Sequence, residues 1–121
     1  MRLHHIALRT HRVDEVVAFY RDLLALPVVR AQAGRSVWLG LETSVLMVEN
    51  ATADEPGIPP GSGELLAFAV DAATQERIEL ALRACAVAIE DRTDFTVYFR
   101  DPDGRRVGVS TYPLPELKAS T

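Results

Sequence analysis

The sequence predicts an α+β fold made of two βαβββ modules in tandem. Three observations carry this reading. The order strand, helix, strands occurs twice, at an offset of about 60 residues. The hydrophobic period changes from strand-like to helical at matching points in each half. A segment dense in proline and glycine separates the halves. The offset places His5 on Leu65, Val13 on Ala73, Leu24 on Ala84 and Val29 on Ile89. Identity between the halves is low, so the repeat lies in pattern more than in letters.

In the first half, Leu3 to Leu8 is a short apolar run ended by Arg9 and Thr10. From Val13, the residues Val13, Val16, Val17, Tyr20, Leu23 and Leu24 recur at helical spacing, with Asp14 and Glu15 where the helix dipole favours carboxylates. Pro27 ends that helix, and Thr10 or His11 is expected to cap its start. Pro27 to Arg30, Ser36 to Leu41 and Ser44 to Glu49 read as strands. Module one therefore spans residues 2–49.

Residues 50–63 hold Pro56, Gly57, Pro59, Pro60, Gly61, Ser62 and Gly63 and read as a linker. Module two spans residues 64–112. It opens with the apolar run Leu65 to Val70, followed by a helix from Thr74 to Ala86 with Ile78, Ala81, Leu82 and Cys85 on one face. Val87 to Glu90, Phe95 to Arg100 and Val107 to Thr111 are strand candidates, and Asp101-Pro102-Asp103-Gly104 marks a hairpin. The tail 113–121 is expected to fray.

Composition narrows the function classes. The length of 121 residues suits one domain with a real core. The net charge of −4 favours neither nucleic acid nor an anionic membrane surface. A single cysteine, Cys85, excludes an intrachain disulfide and a multi-thiolate zinc site, and is read as a small buried hydrophobe. No apolar run reaches a membrane span. The opening Met-Arg-Leu-His-His lacks a signal-peptide core, so a cytoplasmic protein is expected.

Three stretches together carry a family resemblance: His4-His5-Ile6-Ala7-Leu8; Ala18 to Leu24 followed by Leu26-Pro27-Val28; and Tyr98 to Val107 around the Asp-Pro-Asp-Gly turn. In this order and spacing they resemble the vicinal oxygen chelate superfamily. That group includes glyoxalase I, fosfomycin and bleomycin resistance proteins, and extradiol dioxygenases. The resemblance covers about residues 2 to 112 and is specific for the fold, not for an activity. Relatives usually carry Asp near the position of Arg12. The resemblance implies an incomplete open barrel with helices on its convex face, a site on its concave face, and a homodimer that covers the sheet edges.

Strand alternation then sorts the side chains. Leu3, His5, Ala7, Trp38, Gly40, Met47 and Glu49 face the expected cleft in the first half; Leu65, Ala67, Thr96, Tyr98, Gly108 and Ser110 do so in the second. The resemblance implies one divalent metal held from the first and last strand of each module. Those four positions read His5, Met47, Leu65 and Gly108, so three lack a donor suited to a hard cation. No metal cofactor is therefore expected. Glu49 is the neighbour that, with His5, would make an unorthodox site.

His5 reads as a hydrogen-bonding group in the cleft, a recogniser or general base, or a metal ligand. His4 is expected at the core edge or under the helix. Glu49 is either solvated or paired with His5 or a cationic ligand group. Trp38 and Tyr98 are packing residues or a platform for a planar or apolar ligand, with Met47, Leu65, Thr96 and Ser110 beside them. Arg105 and Arg106 read as turn and surface charge. The leading expectation is a metal-independent protein that binds a small organic molecule, as bleomycin resistance proteins do. The alternatives are a lyase, isomerase or dioxygenase using His5 and Glu49, and an interaction domain with a vestigial cleft.

Overall fold

A computed structural model describes residues 1–115, so most of the tail for which fraying is expected lies outside the described residues. The chain divides into two compact units, one from Met1 to Gly57 and one beginning at Ile58. Each is a helix-bearing, four-stranded mixed sheet.

The first unit contains β1 (His5–Thr10), α1 (Val13–Ala18), a π-helical turn (Phe19–Leu23), β2 (Val28–Gln32), β3 (Ser36–Gly40) and β4 (Val45–Asn50). The sheet order is β1-β4-β3-β2. β1 runs parallel to β4, and β3 antiparallel to both β4 and β2. The register aligns Leu8 with Val48, and Leu39 with Leu46. These residues are buried together with Val16, Val17, Tyr20, Leu23 and Leu24 of the helical segment. One sheet face is thus aliphatic because alternate residues must pack against the helix. The helical period correctly marks that face.

The boundaries differ from expectation for local reasons. β1 extends through Thr10, because the parallel ladder with β4 continues to Thr10 opposite Asn50. Arg12 is the N-cap of α1, without a side-chain cap; the Thr10 hydroxyl instead accepts from the Arg12 N–H at 3.0 Å. The helix does not run regularly to Pro27. It loosens into the π turn, and Ala25 then takes a left-handed conformation with φ 59°.

The second unit repeats the plan with β5 (Leu65–Ala69), α2 (Ala72–Ala84), β6 (Asp91–Arg92), β7 (Thr96–Arg100) and β8 (Arg106–Ser110), in the order β5-β8-β7-β6. Val97, Phe99, Val107 and Val109 form its buried face with Ile78 and Leu82 of α2. Asp71 caps α2 by accepting from the Thr74 N–H at 2.8 Å. Gln75 fastens the helix to the sheet, its Nε2 donating to the carbonyls of Phe95 and Val109.

Two expectations fail in this unit. The strand proposed at 87–90 is replaced by β6 at Asp91–Arg92; Glu90 only donates one backbone bond to Tyr98, and the ladder starts at Asp91. Cys85 is exposed, not buried. The helix stops at Ala84, so Cys85 is its C-cap and not part of the apolar face, and the chain then turns at Ala86 (φ 55°). Among the described residues no helix is long and apolar enough to cross a membrane.

Candidate functional site

Each sheet has a second face that its own helix does not cover. In the first unit the register sorts this open face into rows. Ala7, Met47, Trp38 and Arg30 share one row; Arg9, Glu49, Ser36 and Gln32 share the next; His5, Val45 and Gly40 lie on the other side. In the second unit Ala67, Gly108, Tyr98 and Asp91 form one row, and Ala69, Ser110 and Thr96 another. Trp38 and Tyr98 therefore occupy equivalent places, at the offset seen in the sequence. Both are half-buried.

His5 and Glu49 share a face but are not brought together. His5 pairs with Val45, so Glu49 lies four residues further along the sheet, about 13 Å at the strand rise. Glu49 stands opposite Arg9, with a nitrogen–oxygen distance of 4.0 Å. The His5 ring contacts His4 instead, Nδ1 to Nδ1 at 2.9 Å, with the rings edge to face. Such a contact requires one nitrogen to donate and the other to accept. His4 is exposed, so it sits neither at the core edge nor under the helix as expected; it precedes β1 and escapes the alternation.

The residues at the four donor positions do not fit a divalent metal. The first unit supplies one imidazole, His5, and the thioether of Met47. The second supplies Leu65, which is 45% exposed and apolar, and Gly108. Little room is left for a side chain at 108. A Cβ there would meet Thr96 Cγ2 at 3.3 Å and the Tyr98 ring at 3.4 Å. Among the described residues no three His, Cys, Asp or Glu side chains are grouped to hold a metal.

Thr96 and Ser110 satisfy one another, with the hydroxyls 2.7 Å apart, and Ser110 also accepts from the Tyr112 N–H. Both polar groups are therefore already engaged within the unit. A cavity of about 680 Å³ lies in the first unit between the start of α1 and the β2–β3 turn. It is lined by residues such as Arg12, Glu15, Arg35 and Asn50, and gathers none of the candidate site residues.

The sequence reading missed the arginines on the open faces. The Arg30 guanidinium lies over the Trp38 ring, 5.0 Å from its centre. Arg106 lies over Tyr98 at 4.2 Å. Arg106 donates to Glu90 at 3.2 Å, and Arg100 makes a two-pronged bond to the same carboxylate. The Glu90 carboxyl is held below its ordinary range, chiefly by the Arg100 hydrogen bond. Arg105 is not a simple surface charge: it bonds Asp101, whose side chain is fully buried, and Asp103, fixing the hairpin turn. Arg106 was legible by alternation from Gly108 once the strand is known to begin at 106. Arg30 was not, because a β-bulge between Val28 and Arg30 changes which side chains face which way.

A model of the Glyoxalase/Bleomycin resistance protein/Dioxygenase superfamily matches residues 2–109. Among solved structures, the chain is similar to a lactoylglutathione lyase from Agrobacterium tumefaciens, with 24% identity over 90% of this chain and 92% of that one and a TM-score of 0.70. It is similar to a glyoxalase/dioxygenase from Nostoc punctiforme, with 22% identity over 89% and 88% of the two chains and a TM-score of 0.77. It is also similar to the oxidase ChaP-H2, with 20% identity over 93% and 94% and a TM-score of 0.75. At these identities the structural likeness concerns the fold. No curated protein matches the chain in sequence.

Proposed function

The chain belongs to the Glyoxalase/Bleomycin resistance protein/Dioxygenase superfamily, and from that premise we propose that it is a metal-independent member that binds a small organic molecule on its open sheet faces. One observation carries the reading. The positions that would grip a cation hold Met47, Leu65 and Gly108, while Trp38 and Tyr98 present guanidinium-capped rings on those same faces. Half-buried aromatic rings with a few polar groups suit a planar or apolar ligand better than an ion. The chain acts as a homodimer in this proposal; Val28 and Val29, on the edge strand β2, are 44% and 57% exposed and benefit from cover.

The test is elemental analysis of protein purified without chelator, together with its thermal unfolding in the presence of EDTA. Substoichiometric metal and an unchanged midpoint are expected. One tightly held Mn, Ni, Fe or Zn per chain would overturn the proposal. Sedimentation at micromolar concentration checks the dimer.

A second reading draws on the His4–His5 contact. There His5 is the general base of a lyase, isomerase or dioxygenase-type reaction, with its tautomer set by His4. Glu49 takes no part with it, because the register holds the two apart. The two readings separate in one variant: His5→Ala abolishes turnover in an enzyme and leaves ligand affinity within a few-fold in a binder.

A further inference from the structure

Resting on the ligand-binding reading, we infer that the open face of the first unit selects an organic anion. Arg30 receives the oxyanion, and Trp38 and Met47 take the planar or apolar body. The three residues lie in one row, on neighbouring strands, because Arg30 pairs with Trp38 and Trp38 with Met47. The guanidinium lies over the indole, 5.0 Å from its centre. A guanidinium carries five N–H donors, more than contact with one ring can occupy, and their fork matches a carboxylate or phosphate.

Among the described residues no acid competes for those donors. The Arg30 side chain instead rests against the Trp38 ring. The acid on the same face, Glu49, lies one row away and faces Arg9. The indole is also held at its other edge, since Trp38 Nε1 donates to Ser36 Oγ at 3.3 Å. Ring and cation are thus positioned before a ligand arrives, which lowers the ordering cost of binding. A cationic ligand would instead meet an uncompensated guanidinium. The net charge of −4 opposes anions at long range, so the preference is a contact effect of Arg30.

The second unit shows what the alternative looks like. There the guanidiniums of Arg100 and Arg106 are already bonded to Glu90, and the ring beneath is Tyr98. The same ring-and-cation pairing is neutralised there, and among the described residues it has no counter-charge in the first unit.

Trp38 is the only tryptophan, so its fluorescence reports on this site alone. The full chain is titrated with four probes of similar body: benzoate, phenyl phosphate, neutral benzamide and cationic benzamidine. Calorimetry confirms the affinities. Benzoate or phenyl phosphate is expected to bind about tenfold or more tighter than benzamide, as for a charge-assisted hydrogen bond. Whichever of the two is tighter identifies the headgroup as carboxylate or phosphate, and either result supports the inference. Arg30→Gln should reduce the ratio of anion to amide affinity to near one, and Arg30→Lys should recover part of it. Circular dichroism and the unfolding midpoint verify that both variants fold.

The inference is overturned if Arg30→Gln keeps the anion preference, or if benzamide and benzamidine bind as well as benzoate. The latter outcome leaves the ligand-binding reading standing. Absence of any saturable response to all four probes by folded protein counts against both.

Discussion

Comparing the two sheets separates what this fold constrains from what it leaves free. Their covered faces are near equivalents: Leu8, Leu39, Leu46 and Val48 in one, Val97, Phe99, Val107 and Val109 in the other, each with an apolar helical stripe. The open faces share only their outline. Trp38 and Tyr98 correspond, but among the described residues Arg30 has no acidic partner, whereas Arg106 shares Glu90 with Arg100. Packing against a helix penalises any departure in volume or polarity. A face that solvent or ligand can reach tolerates exchange of His5 for Leu65, Met47 for Gly108 and Glu49 for Ser110. A duplicated module can therefore keep its core while its binding chemistry diverges.

The largest effects should test the equivalence of the covered faces. Phe99→Ala is expected to cost about 3–5 kcal/mol and Leu46→Ala about 2–5 kcal/mol, read from urea unfolding. A loss below 1 kcal/mol at either position would show that one unit does not depend on its aliphatic face. The contrast between the open faces is sharpened by Glu90→Gln, which releases Arg100 and Arg106. In an Arg30→Gln background it should restore a several-fold preference for benzoate over benzamide, measured by calorimetry. No change would mean that Glu90 is not what silences the second unit.

A smaller effect concerns the helix exits. Ala25 and Ala86 adopt φ values of 59° and 55° at corresponding places, a conformation that disfavours any residue with a Cβ. Ala25→Gly and Ala86→Gly should each stabilise by about 0.5–1 kcal/mol after glycine's greater unfolded-state freedom is counted. Differential scanning calorimetry would detect the gain, and a loss at one site would reveal a difference between the exits.

The smallest effect is electrostatic. Glu55 in the linker has its pKa lowered to about 2 from 4.5, first by the Arg9 hydrogen bond and then by the Thr52 N–H. Because the folded value lies below the unfolded one, the stabilisation is complete above the ordinary carboxylate value. It fades as the pH falls and is gone below about 2. Glu90 is also lowered, by Arg100 and then Arg106, so its contribution has the same sign. Carbon-detected NMR titration of the two carboxyls should place both below the normal range. A normal value for Glu55 would mean that Arg9 does not hold it.

Much of the fold was legible in the letters. The double module, the helix faces and the alternation that gives Trp38, Met47, Tyr98 and Gly108 a common kind of face all follow from periodicity. The identities of Met47, Leu65 and Gly108 were equally readable, and the resemblance alone marked them as donor positions. Register was harder. Two residues on one face can sit side by side or four steps apart, and periodicity does not distinguish these cases for His5 and Glu49. Helix exits were also opaque: the period at Ile78 and Leu82 points to Cys85, but the helix ends one residue too soon.

By itself, the sequence determined two covered sheets and which side chains stand on each strand, because both depend on local pattern and side-chain identity. Only the tertiary structure decided which charges are neutralised. Arg100 and Glu90 are ten residues apart and meet through strand pairing, while a bulge in β2 sets Arg30 over Trp38. Electrostatic pairing depends on distance in space to within a few ångströms, and strand register sets that distance.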